Sequence, residues 1–147
     1  MRPDDSVKER FENRSYFPSA QANKIRVQLL RHLTGAALLA CSANDLVRAR
    51  QIVKGLRIVA PDGRQGIIAE VITELTADNI EAALRCVGPL AAANDPYGMI
   101  FQALALGLAG RVRECEQVLS RTSHGDPAID ELRREMSSIT QKANSGR

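Results

Sequence analysis

Tryptophan is absent from this 147-residue chain, and aromatic residues of any kind make up only 3% of it. So few aromatics leave no stacking platform for bases, and the scattered arginines form no basic stripe, so nucleic-acid binding is not expected. Net charge is only +3, with a pI near 9.0. No run approaches the ~20 apolar residues of a membrane-spanning helix. The three cysteines, Cys41, Cys86 and Cys115, stand far apart in apolar runs, with no C-x-x-C pair. Such cysteines read as small buried hydrophobes of a reducing compartment, not as a disulfide framework or zinc site. The only histidines, His32 and His124, lie in separate segments, so no metal is expected. Leu38-Leu39-Ala40-Cys41 has the look of a lipoprotein cleavage motif. It sits behind an acidic start (Asp4, Asp5, Glu9, Glu12), whereas a secretory signal occupies the first ~15–30 residues. The expected location is cytoplasmic.

Catalytic sets are missing in the same way. Asp62-Gly63-Arg64-Gln65-Gly66 lacks the Gly-Lys-Ser/Thr ending of a phosphate loop and follows no strand, so it reads as a turn. Glu70 and Glu74 are one helical turn apart and read as a solvated edge rather than an acid–base pair. The expectation is a protein that is not an enzyme and holds no cofactor.

What is present is helical. Hydrophobic residues make up 44% of the chain, dominated by Ala and Leu, which suits helix-on-helix packing. Apolar positions recur at helical spacing from Ser19 to Ser42, Asp45 to Val59, Arg64 to Leu75, Asp78 to about Val87, Tyr97 to Leu108, Val112 to Arg121, and onward from Pro127. Gly88-Pro89 is expected to bend or end the fourth helix. Asp126-Pro127 supplies a cap and a first-turn proline for the last one. Residues 1–18, with Phe11, Tyr16 and Phe17, read as an arm; 19–142 as one α-helical domain; 143–147 as a frayed tail.

A period organises these helices. Ala49, Ala82 and Cys115 stand 33 apart, each in the second helix of a pair, and Asp45 and Asp78 repeat at the same interval as candidate N-caps. Pro61, Pro96 and Pro127 punctuate the units. A period of about 34 with a small residue at the helix crossing and a closing proline resembles the tetratricopeptide (TPR) pattern. The family's Trp and Tyr positions are lost, and its Phe position holds Val53, Cys86 and Leu119. The predicted fold is all-α: a TPR-like helical-hairpin array of about three degenerate units plus a C-terminal capping helix.

With units starting at Leu30, Gly63 and Pro96, the resemblance implies an inner face at the second, fifth, ninth and twelfth positions of each first helix. These are Arg31, Thr34, Leu38 and Cys41; Arg64, Ile67, Val71 and Glu74; and Tyr97, Ile100, Leu104 and Gly107. Leu38, Ile67, Val71, Ile100 and Leu104 give that face an apolar centre, and Arg31, Arg64 and Tyr97 a polar rim. Such a trough suits an amphipathic helix. The same residues read as core if the array closes on itself or on its N-terminal arm.

The three units, the Asp-Pro-Tyr start of the Ala/Leu-rich fifth helix and the Asp-Pro-x-Ile capping helix are similar to the small TPR-like chaperones of type III secretion (YscG/PscG type). They also resemble a related Hrp-type TPR-like secretion protein of plant-associated bacteria, which shares an Ala-Pro-Asp turn like Ala60-Pro61-Asp62. The resemblance implies a client that is a small helical needle- or pilus-like secretion subunit, with a small helical co-chaperone as a second partner. A generic TPR-like adaptor in a regulatory complex is the alternative, and a homodimer through the apolar face remains open.

Overall fold

The computed structural model describes residues 20–122 and 124–145; the expected arm at 1–18 lies outside them. All seven elements among the described residues are helices: α1 (Ala20–Ser42), α2 (Leu46–Val59), α3 (Arg64–Thr76), α4 (Ile80–Ala92), α5 (Pro96–Leu108), α6 (Val112–Arg121) and α7 (Pro127–Ser145). The last helix continues past Lys142, where the sequence predicts a tail. Gly88-Pro89 does not end α4, which runs on to Ala92 with the proline on its exposed side.

Local chemistry fixes the helix ends. Asp45 caps α2 by accepting from the Arg48 amide at 3.1 Å, and Asp95 caps α5 by accepting from the Gly98 amide at 3.0 Å. Asp126 accepts from the Ala128 amide at 2.9 Å at the start of α7. Four turns share one left-handed residue: Asn44 (φ 56), Asp78 (φ 60), Asn94 (φ 56) and Gly110 (φ 73). In each, the next amide reaches back five residues to a carbonyl of the finished helix, as in Asp45 N to Ala40 O at 2.8 Å and Asn79 N to Glu74 O at 2.8 Å. This is the Schellman closure, which stops one helix and starts the next in three residues. Asp78 therefore holds the left-handed position rather than the expected cap. The N-cap of α4 is Asn79, and its side chain makes no capping bond.

Helices joined by such short turns and packed along each other run antiparallel, giving the hairpins α1/α2, α3/α4 and α5/α6, followed by α7. Each hairpin packs on the next through α2 on α3, α4 on α5 and α6 on α7. The backbones of the odd helices also approach in sequence, α1 on α3, α3 on α5 and α5 on α7, whereas those of α2 and α4, and of α4 and α6, stay apart. A row of helices in contact beside a row held apart makes the array curve, with the odd helices on the inside. Between α1 and α3 lies a buried polar pair. The Thr73 hydroxyl donates to Ala69 O at 2.7 Å, so its 3.4 Å contact with the Cys41 thiol has sulfur as the donor.

The repeat is uneven. The amides of Ala49, Ala83 and Cys115 each close the first turn of an even helix, bonding to Asp45 O, Asn79 O and Arg111 O. All three are 0% exposed, whereas Ala82 is partly exposed. The small crossing residue of the middle unit is Ala83, and the spacings are 34 and then 32 rather than 33 twice. Ala83→Phe is expected to lower stability by ~3 kcal/mol in urea denaturation through overpacking, and Ala82→Phe by less than about 1 kcal/mol. Equal effects would contradict this register.

Gly66 and Gly98 occupy one position of α3 and α5, against the preceding even helix. A Cβ at Gly98 would come within 2.5 Å of Leu90 Cβ and 2.9 Å of its backbone carbon; one at Gly66 meets only ordinary contacts of 3.4 Å and beyond. Alanine normally gains ~1 kcal/mol over glycine inside a helix. Gly66→Ala is therefore expected to be neutral or stabilising by thermal melting. Gly98→Ala is expected to lose ~2 kcal/mol, because the α4–α5 backbones must part.

Candidate functional site

The corrected register decides which side chains face inward from the odd helices. Its equivalent positions are Arg31, Gln65 and Tyr97; Thr34, Ile68 and Ile100; Leu38, Ile72 and Leu104; and Cys41, Leu75 and Gly107. In α1 and α5 these match the sequence-based set; in α3 every one is moved by one residue. One residue is ~100° around a helix, enough to turn a surface position into a core one. Val71 is 0% exposed and Ile67 7%, and both belong to the core formed with Ala83 and Val87. Ile100 is 3% exposed in the core of the third hairpin, beside Met99 and Ala103. These three expected groove residues are interior in this structure, and Ile68, Ile72 and Leu75 take the half-buried places in α3.

Of the other expected residues, Cys41 is buried at 6% exposure and Glu74 turns outward to Arg50 of α2, while the rest are at the surface or its edge. Arg31 and Arg64 are exposed, Leu38 is 37% exposed, and Thr34, Tyr97 and Leu104 are half-buried. The Thr34 hydroxyl donates within its own helix to Leu30 O at 2.7 Å. Arg64 and Tyr97 do come together: the guanidinium lies 5.2 Å over the tyrosine ring. Arg64 also donates to Asp95 at 2.7 Å, and the Tyr97 hydroxyl donates to Asp126 at 3.3 Å. The rim is thus tied to the carboxylates that cap α5 and α7.

Sequence reasoning missed the far end of this face. Leu104, Gly107 and Leu108 of α5, Val112 and Cys115 of α6, and Met136 and Ile139 of α7 line an apolar cleft of about 160 Å³. Leu108 and Ile139, 56% and 62% exposed, flank its mouth. The stripe Leu132, Met136, Ile139 in α7 was the available signal, but it reads equally as the inner face of a capping helix.

The cleft between α2 and α3 on the outer side is polar. Glu70 and Glu74 do not form an acid–base pair: each faces an arginine of α2, Arg57 and Arg50, at 3.3 Å. Burial works to raise the Glu74 pKa, but hydrogen bonds from Asn79 and Arg50 and the nearby guanidinium charge outweigh it, leaving the carboxyl below its ordinary 4.5. Burial, with the charge and hydrogen bonding of Glu70, pushes the Cys86 thiol up to about 11. Burial and then Glu116 raise Cys115 as well. Both thiols stay protonated at neutral pH and are poor nucleophiles there. Among the described residues no three His, Cys, Asp or Glu side chains cluster to hold a metal, and no helix is long and apolar enough to cross a membrane.

Comparison with known families, with curated proteins and with solved structures finds no match to this chain. The geometry defines an all-α protein of stacked helical hairpins with an apolar row along its inner face.

A depressed carboxyl pKa stabilises the fold above the unfolded value of 4.5 and loses that contribution as pH falls through the lower folded value. Glu74→Gln is therefore expected to cost ~1 kcal/mol at pH 7. The gap to the parent protein should close under acid conditions in denaturant melts. A gap of the same size at pH 3 and pH 7 would show that shape, not charge, is responsible.

Proposed function

We propose that the protein is a non-catalytic, TPR-like protein-binding module that holds an amphipathic helix of a client along the inner face of its odd helices. The observation that carries this reading is the apolar row Leu38, Ile72 and Leu104, one register position on three successive contacting helices, continued by Leu108 and Ile139 at the α5–α7 cleft. A client helix presenting apolar residues at i, i+3, i+4 and i+7 would cover this row. The exposed Arg31 at one edge favours acidic residues on the client's flank, whereas Arg64 is already paired with Asp95. The resemblance to type III secretion chaperones supports a client of needle- or pilus-subunit type. Such a subunit polymerises through an amphipathic helix, and covering that helix keeps it monomeric by mass action. Work in the cytoplasm before export belongs to the same reading.

Co-expression with candidate short helical subunits, followed by affinity purification and mass spectrometry, tests it. A stoichiometric complex is expected from the parent protein. It should be lost from Leu104→Glu combined with Leu108→Glu, whose circular dichroism stays that of the parent. Val71→Glu, by contrast, should unfold the second hairpin, since an unpaired charge in the core costs several kcal/mol. A complex that survives the double substitution, or a parent protein that takes up none of the subunits, overturns the reading.

A further inference from the structure

Two clefts on the outer side stand at equivalent places in the repeat. The first, of about 330 Å³, sets Arg50, Lys54 and Arg57 of α2 opposite Glu70 and Glu74 of α3. The second, of about 350 Å³, has α5 as its floor and α4 and α6 as its walls. In the corrected register Glu70 and Glu74 correspond to Gln102 and Leu106 of α5, and Arg50 to Leu84 of α4; all three line the second cleft. The floor of the second cleft therefore lacks both carboxylates of the first.

Its walls still carry cations: Arg85 of α4, and Arg111 and Arg121 of α6. The two acids that also line it, Glu81 and Glu114, both serve Arg111. Glu114 accepts from that guanidinium at 2.6 and 2.7 Å, and Glu81 adds its charge. Arg121 uses only its Nε, which donates to the Gln117 carbonyl at 3.3 Å. Arg85 has no hydrogen-bond or ion-pair partner among the described residues. In the first cleft, by contrast, Glu74 and Glu70 hold Arg50 and Arg57 at 3.3 Å. Two guanidinium groups of the second cleft thus lack the carboxylates that the neighbouring repeat supplies from within.

We propose that the cleft between α4 and α6 binds an acidic stretch of a partner chain, whose carboxylates pair with Arg85 and Arg121 as Glu70 and Glu74 pair with arginines in the first cleft. Guanidinium forks match the planar carboxylate and can hold it by two parallel bonds. Gln102 and Gln117 add amide donors, and Leu84, Leu106 and Val118 give the methylenes of a glutamate an apolar bed. The charges of Glu81 and Glu114 on the same lining oppose a doubly charged phosphate more than a single carboxylate. Specific ligand sites run from ~300 to 1,000 Å³, so this cleft suits one or two acidic side chains rather than a bulky ligand. It opens on the outer side, away from Leu38, Ile72 and Leu104, and the inference stands or falls independently of the client groove.

The test is fluorescence anisotropy of a fluorescein-tagged hexaglutamate with the full chain, against a tagged hexaglutamine, at about 0.15 M salt, where long-range attraction is screened. Binding of the acidic peptide alone is expected. Arg85→Gln combined with Arg121→Gln should weaken it by roughly tenfold. Lys54→Gln combined with Arg113→Gln removes the same charge at other exposed sites and should change it by less than about twofold. Gln102→Glu returns a carboxylate to the floor and should weaken the peptide by roughly fivefold, because the arginines are then paired from within. Circular dichroism melts of all three variants are expected to match the parent. Equal losses in the two double variants would assign binding to the general field of a basic protein. Parent affinity in Gln102→Glu would place it outside the cleft, and tighter binding of a triphosphoserine peptide of the same total charge would reassign the ligand. Each of these overturns the proposal, as does a parent protein that leaves hexaglutamate free.

Discussion

No hairpin in this protein can bury its own apolar surface, and every other feature follows from that constraint. Two antiparallel helices cover only the strip between them. Val53 and Leu56 of α2 are buried because α3 brings Ala69 against them, and Met99 and Ile100 of α5 because α6 and α7 close over them with Cys115 and Ile129. Stability is shared between neighbours, as expected of a quasi-one-dimensional stack. Close approach between hairpins makes the sharing effective, and it demands residues without bulk: Ala49, Ala83 and Cys115 at the crossings within hairpins, Gly66 and Gly98 at those between them.

Curvature is the second consequence. The backbones of the odd helices approach one another and those of the even helices do not, so the stack has an inner face that is continuous and an outer face broken by clefts. Leu38, Leu104, Leu108 and Ile139 lie along the continuous face. The outer clefts are filled by ion pairs such as Arg50–Glu74 and Arg57–Glu70. Exposed pairs of this kind add little to stability, but they keep the cleft between α2 and α3 polar.

Much of this was legible in the residues, because much of it is local. Helix ends depend on a cap, a proline or a left-handed residue within a few positions. Asp45, Asp95-Pro96, Gly110 and Asp126-Pro127 declared theirs. Asp78 misled because an aspartate before an apolar run reads as a cap, whereas here it fills the left-handed turn position and Asn79 opens the helix. Pro89 misled in the opposite sense: its side of α4 is open, and the helix carries through it.

What the sequence by itself determined is the helix content, nearly all of the helix boundaries, and the existence of a repeat with small residues at its crossings. These follow from periodicity and from short-range hydrogen-bonding chemistry. Only the tertiary structure decided which side of α3 is core. Spacings of 34 and 32 average to the same 33 that the sequence displays, yet the one-residue difference turns a helix by ~100°. That rotation puts Val71 and Ile67 inside and leaves Ile68 and Ile72 half-buried. A packed neighbour fixes that angle: Ala83 and Val87 of α4 close over Ile67 and Val71.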